Sequence, residues 1–297
     1  MKKYLYALLL IALALISSCV SAPSIESWDV MAYEALDDII SIEEIEDQVE
    51  SAATYKVRYK SDEYEVIAFL SVPIAHMETK ETMPCIIYNR GGNGNQGFNT
   101  PRMVAGMAEF YDVVTFASQY RGVSGGTGKD ECGGAELQDV IGLINLCEKF
   151  AFVDSDAVYM LGVSRGGMTT YQTIRADKRV KKAAVVSGIA DVFINYEIRL
   201  SMNEFWQDIT GGTPEEVPEE YEKRSATCWA DELNCPVLII HSKGDDRCLY
   251  AEAEKMVQCL EDAGKEYKFV SYDDAVHGIR AEDVAIIAEW FGLDVPN

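Results

Sequence analysis

Ser164 stands between two glycines in Gly162-Val163-Ser164-Arg165-Gly166, directly after the apolar run Ala157-Val158-Tyr159-Met160-Leu161. That spacing predicts a buried strand turning sharply into a helix. Glycines on either side let the backbone make the turn without a Cβ clash, which pushes the serine hydroxyl outward as in a nucleophile elbow. A helix starting at Arg165 aims its first N–H at an oxygen that becomes negative when Ser164 attacks a carbonyl. Five-residue glycine–serine patterns also occur on ordinary turns, so the chemistry needs partners. A serine hydroxyl is a poor nucleophile near neutral pH until a base takes its proton, and an acid must hold that base in one tautomer.

The chain has three histidines. His277 follows the last predicted strand in Asp273-Asp274-Ala275-Val276-His277-Gly278 and is the candidate base. His76, in a polar stretch before Pro84, reads as a surface residue, and His241, ending an apolar strand, as a hydrogen-bonded structural one. The acid belongs just past the preceding strand, where His241-Ser242-Lys243-Gly244-Asp245-Asp246-Arg247-Cys248 offers two aspartates. Asp245 comes first because Gly244 would release the turn that aims it; Asp246 is the runner-up. A second oxyanion donor is expected from Asn89-Arg90-Gly91-Gly92-Asn93-Gly94, with the Gly92 N–H chosen beside that of Arg165. No G-K-[ST] follows these glycines, so they do not form a phosphate loop.

The elements around these residues predict an α/β fold. Thr54–Tyr59 and Tyr64–Leu70 alternate around Ser61-Asp62-Glu63, which predicts an antiparallel hairpin at the sheet edge. Short apolar runs follow at Cys85–Tyr88, Val113–Phe116, Val158–Val163, Ala183–Val186, Val237–Ile240 and Lys268–Val270, as in strands buried on both faces. Helical stripes separate them, as in Leu137-Val140-Ile141-Ile144 and Val284-Ile287-Trp290-Phe291. The order means a mostly parallel, doubly wound sheet. Residues 191–233 break the rhythm and read as a lid inserted after the sixth strand, over the mouth where such sheets bind ligands.

With 297 residues, 48% of them hydrophobic, the chain can bury a full core. A net charge of −23 excludes nucleic-acid binding and predicts that neutral or cationic substrates outcompete anionic ones. No metal-ligand spacing of cysteines or histidines occurs, so neither metal nor other cofactor is expected. Seven cysteines follow Cys19, an odd number that leaves the disulfide pattern and the oligomeric state open. Lys2-Lys3 and the apolar run from Leu5 to Ile16 predict an export signal over residues 1–18. Residues 19–53 lack Lys and Arg and carry ten acidic residues. They read either as a solvated tether or, from Trp28, Met31, Ala35, Leu36, Ile39 and Ile40, as a packed helix. The catalytic domain is then 54–297.

Two resemblances sharpen this reading. Ile16-Ser17-Ser18-Cys19 resembles a bacterial lipoprotein box, which implies lipidation of Cys19 and a membrane anchor at the cell envelope; an ordinary signal peptide cut near Ala22 is the alternative. The second covers residues 54 to 292 and rests on Asn89-Arg90-Gly91-Gly92, Tyr120-Arg121-Gly122 with Lys129 to Gly134, Gly162 to Met168, Arg224-Ser225-Ala226 and His241 to Asp245. Together these resemble a single-domain serine hydrolase of the prolyl-oligopeptidase type, with an α/β-hydrolase fold. The resemblance implies a Ser164–Asp245–His277 triad, oxyanion donors at Gly92 and Arg165, and cleavage of a short peptide or a small ester through an acyl-serine. Arg90 stands where His or Tyr is common, and Cys248 where valine is. Asp130 and Glu131 are expected to brace a loop through Arg121 or Arg165. The rival from another class is a binding protein that keeps the fold without the chemistry.

Overall fold

The apolar runs are continuous because both faces of the sheet are covered. On β4 (Met83–Asn89), Cys85 and Ile87 enter one core cluster and Ile86 and Tyr88 the other; Met160 and Leu161 divide likewise on β6 (Val153–Val163). In the computed structural model, which describes residues 27–294, nine strands form a single sheet in the order β1-β2-β3-β5-β4-β6-β7-β8-β9. The other strands are β1 (Ile39–Val49), β2 (Ala52–Ser61), β3 (Tyr64–Pro73), β5 (Val114–Ser118), β7 (Lys182–Val186), β8 (Val237–Ser242) and β9 (Tyr267–Tyr272). The first three pairings, β1–β2, β2–β3 and β3–β5, are antiparallel, and every later one is parallel.

A short helix α1 (Ile74–Thr79) leads from β3 into β4. Helices α2 (Pro101–Tyr111) and, at the chain's end, α9 (Ala281–Phe291) cover one face of the sheet; α3 (Leu137–Cys147), α4 (Arg165–Ala176) and α8 (Tyr250–Asp262) cover the other. Between β7 and β8 the segment expected as a lid is helical, with α5 (Val192–Ile198), α6 (Asn203–Thr210) and α7 (Pro218–Glu222), a 3₁₀ turn between the first two and two more after α7. It has its own small core of Trp206, Tyr221, Val192 and Ile189 against Met168, Cys132 and Cys248. Glu252, fully buried on α8, ties this insertion down by accepting from the Ala190 and Asp191 N–H groups and from Asn195 Nδ2.

The N-terminal stretch departs from both of its predicted forms. Residues Val30–Ala35 make a 3₁₀ helix capped by Asp29, and Ile39–Val49 is the edge strand β1. The sheet therefore begins before residue 54, the predicted hairpin is not at its edge, and the helical insertion follows the seventh strand instead of the sixth. The misreading has a physical cause. The stripe from Trp28 to Ile40 imitates a helix, whereas a register shift after Ile39 lets Ile39 and Ile42, three apart, face the same core cluster while Ile45 faces the other. Ile39 and Ile42 are buried, and burying such a side chain contributes roughly 1.5–3 kcal/mol, enough to hold the edge. Glu34 accepts from the Ile42 N–H at 2.7 Å, and Asp38 pairs with Lys149, so the acidic run is partly spent on fastening this strand. The export-signal and lipoprotein residues, Cys19 among them, lie outside the described residues.

Candidate active site

Ser164 sits at φ 58°, ψ −125°, a strained geometry between the end of β6 and the first turn of α4. Its N–H donates to Val186 O at 3.1 Å and its carbonyl accepts from Gly167 and Ile189, so the strain is held from several directions. The flanking glycines are required by close approach. A Cβ on Gly166 would lie 1.9 Å from Asn89 O, and one on Gly162 would lie 2.3 Å from Gly166 O. Gly91 comes close from the other side, where a Cβ would stand 3.1 Å from that of Ser164.

Asp245 and His277 meet across the ends of β8 and β9. His277 Nδ1 lies 2.8 Å from Asp245 Oδ2 and 3.0 Å from Oδ1. Burial alone would raise the buried Asp245 carboxyl, but the His277 bond and the Arg247 and Cys248 N–H groups, at 2.9 and 3.1 Å, hold it below the usual carboxylate range. Asp246 is exposed, so the structure brings Asp245 and not its neighbour to the imidazole. Gly244 serves differently from the prediction: its φ is ordinary, and glycine is needed because a Cβ would press on Asp274 O and Ala275 Cβ at 2.9 Å. His241 is buried, with Nε2 2.8 Å from Cys248 O, and burial lowers its pKa, as suits a neutral structural imidazole. His76 contacts Asp112 on the surface.

The loop after β4 is gripped from behind. Buried Arg90 donates to the carbonyls of Gly91, Gly94, Gln96 and Gln119 at 2.9–3.1 Å. Arg165 donates to Gly92 O at 3.1 Å, and both guanidiniums lie over the Tyr120 ring, 4.9 and 4.6 Å from its centroid. Arg165 is paired with Asp130 and, at 2.7 Å, with Glu136. Burial pushes the Asp130 carboxyl up, but the Arg165 bond outweighs it and leaves Asp130 below the usual range. Asp130 thus braces the loop as expected, whereas Glu131 does not: Glu136 takes that place, and Arg121 pairs elsewhere, with Asp139 and Asp62. Gly92, at φ +71°, could not carry a Cβ, which would fall 2.1 Å from Gln96 O.

These pieces surround a cavity of about 400 Å³ lined by Gly92, Ser164, Arg165 and His277 from the sheet side. Arg199, Met202, Phe205 and Trp206 of the helical insertion line it from above. A larger cleft of about 650 Å³, near Gln172, Arg175 and Lys223, contains none of the candidate residues and is not the site. Ser164 Oγ is 3.7 Å from Cys248 Sγ, which is its hydrogen-bond partner among the described residues. It shares the cavity with His277 without being bonded to it, a looseness common before substrate binds.

Residues 111–292 match the prolyl oligopeptidase family, which is more than half of the chain and spans the serine, the aspartate and the histidine. The chain belongs to the prolyl oligopeptidase family. By family it is a serine hydrolase. It is 28% identical over 193 residues to the uncharacterized peptidase YtmA of Bacillus subtilis, covering 64% of this chain and 74% of that one. Its fold is similar to that of a Mycobacterium tuberculosis puromycin-hydrolyzing peptidase, with a TM-score of 0.69 and 20% identity over 80% of this chain and 39% of that chain. It is equally similar to acetyl xylan esterase 1 from Thermoanaerobacterium, with a TM-score of 0.69 and 16% identity over 91% of this chain and 94% of that chain.

Within this family frame, three parts of the site were not legible beforehand. Cys248 was singled out only as an unusual residue, yet it touches the Ser164 hydroxyl. Arg90, a departure from the family pattern, is the anchor of the glycine loop. The lining from Arg199 to Trp206 falls within the expected lid over residues 191–233, but no spacing marks these four side chains individually, because they converge through the irregular turns of the insertion.

Proposed function

We propose that this chain cleaves a short peptide or small acyl compound through an acyl-Ser164 intermediate. The observation that carries the reading is the His277–Asp245 bond at 2.8 Å, in a cavity shared with a strained serine at a strand-to-helix turn. In this reading His277 takes the Ser164 proton after the hydroxyl turns away from Cys248, and later returns it to the leaving group. Asp245 keeps the imidazole in the right tautomer. The N–H groups of Gly92 and Arg165 receive the oxyanion, since Arg165 opens α4, where backbone N–H groups have no partner within the helix. The chemistry requires no cofactor. A fluorophosphonate should label wild-type protein once and leave Ser164→Ala unlabelled; labelling that survives the substitution refutes the assignment.

Peptide cleavage is favoured by the family, and ester cleavage has one observation in its support, the likeness to an acetyl xylan esterase across nearly the full length of both chains. Matched alanyl anilides and acetyl esters separate the two. We also propose that the protein is exported and held at the bacterial envelope by lipid on Cys19, a reading supported by the residues before that cysteine. No described helix is long and apolar enough to cross a membrane.

A further inference from the structure

The chain carries 49 acidic and 26 basic side chains, yet among the described residues no aspartate or glutamate lines the cavity around Ser164. Three arginines do: Arg165, Arg199 and Arg247. Arg165 is neutralised from behind by Asp130 and Glu136. The other two are not neutralised. Apart from Arg102 on α2, every other arginine of the described residues lies within ion-pair distance of a carboxylate. In so acidic a protein, a guanidinium without a carboxylate is the exception, and two of the three exceptions line the same cavity.

Their placement is built. Arg199 comes from the end of α5 in the helical insertion and Arg247 from the loop that carries Asp245. Arg199 Nη1 donates to Arg247 O at 2.8 Å, which fastens the two residues to each other. A guanidinium has five N–H donors in a fixed fork. That is the one hydrogen bond the Arg199 head makes among the described residues, so the rest of its fork stays available to whatever enters. Arg247 uses its backbone for the site, through its N–H to Asp245 and its carbonyl to Arg199, and its exposed side chain has no hydrogen-bond acceptor among the described residues.

We propose that Arg199 and Arg247 form an anion-recognition subsite, and that the substrate is an acyl compound carrying a carboxylate or an equivalent negative group near the scissile bond. The inference rests on the reading of Ser164 as nucleophile. It reverses the expectation from net charge, because contact with two unneutralised guanidiniums outweighs a diffuse field that salt screens within about 10 Å. An anion so bound is fixed in orientation against Ser164, which turns a charge preference into a rate preference.

The test is kcat/KM on two matched ester pairs, each rate divided by that of spontaneous hydrolysis. One pair, N-succinyl- and N-acetyl-alanine 4-nitrophenyl esters, places the carboxylate on the acyl side. The other, 4-acetoxybenzoate and 4-acetoxybenzamide, places it on the leaving side. In one pair at least, wild-type protein should prefer the anionic member by roughly 10- to 100-fold, the factor that a charge-assisted hydrogen bond supplies. Arg199→Gln and Arg247→Gln should bring that ratio towards one, Arg199→Lys should keep part of it, and Arg102→Gln should leave it intact. Equal rates within both pairs in wild-type protein overturn the inference while leaving the hydrolase reading in place, and so does a preference that survives both glutamine variants. Failure to turn over any of the four esters, with no fluorophosphonate label on Ser164, overturns the hydrolase reading and this inference with it.

Discussion

Asp245→Asn is the most discriminating single change, because the structure dictates how the new amide must lie. Asp245 Oδ1 receives the N–H groups of Arg247 and Cys248 at 2.9 and 3.1 Å, whereas Oδ2 faces His277 Nδ1 at 2.8 Å. An amide oxygen will take the position with two backbone donors, since the reverse orientation would set N–H against N–H. The amide NH₂ then points at His277 Nδ1 and forces that nitrogen to accept. The ring proton moves to Nε2, where it blocks uptake of the Ser164 proton. The loss expected for such a tautomer error is about 10⁴ in kcat, or about 5 kcal/mol of transition-state stabilisation. Folding should survive, because both backbone bonds are kept. Asp245→Ala, in contrast, leaves two N–H groups without their acceptor, at roughly 1–3 kcal/mol each where they are buried. The assay is kcat/KM on 4-nitrophenyl acetate with thermal melting of each variant, and Asp246→Asn as the exposed control, expected within about twofold of wild type. A folded Asp245→Asn within tenfold of wild type, or a greater loss in Asp246→Asn, refutes the reasoning.

Other perturbations probe different parts of the molecule. Gly166→Ala should abolish soluble folded protein, since its Cβ would sit 1.9 Å from a backbone oxygen; a normal melting curve would show that the elbow is looser than described. On acidification Asp245 should stay charged through the usual carboxylate range, because the His277 bond and the Arg247 and Cys248 N–H groups hold it below that range, so it adds no inflection of its own to kcat/KM there. The stability that the Asp245 carboxylate contributes is fully present above the unfolded value of about 3.9 and is lost only as pH falls through the lower folded one. A second inflection in kcat/KM at or above that unfolded value would contradict this. Cys19→Ser should move activity out of the membrane fraction with kcat nearly unchanged; wild-type protein found soluble, with its N-terminus near Ala22, would refute the anchor.

The sequence spoke clearly wherever one cause acted alone. Strands β4 to β8 announced themselves because covering both faces of a sheet leaves an apolar run, and Ser164 because only glycines fit around its turn; β9, expected to be buried on both faces, is instead the edge strand and has no buried residue. Where two causes overlapped, the pattern misled. The register shift after Ile39 lets Ile39 and Ile42 share one face of β1 although they are three apart, which breaks the alternation that would have revealed the strand. Asp245 could be ranked above Asp246, yet the reason given, a turn released by Gly244, was wrong: the glycine makes room for the His277 loop. Arg90, Cys248 and Arg199 act through contacts between segments far apart in sequence, and no spacing rule reports those.

Arg90 and Arg165 have a consequence for the glycine loop as a whole. Between them they occupy the carbonyls of Gly91, Gly92, Gly94 and Gln96, so the loop's acceptors are used up on its inner side. The Gly94 and Gln96 N–H groups are spent as well, on Asp130 Oδ2 and Asn93 O, whereas the Gly92 N–H, beside Ser164 in the cavity wall, has no acceptor among the described residues. The polarity of that wall is therefore written by the two cations beneath it, and it is fixed when the core closes over them. Ordering the wall is charged to folding, before any substrate arrives, and none of it has to be met at the moment of reaction.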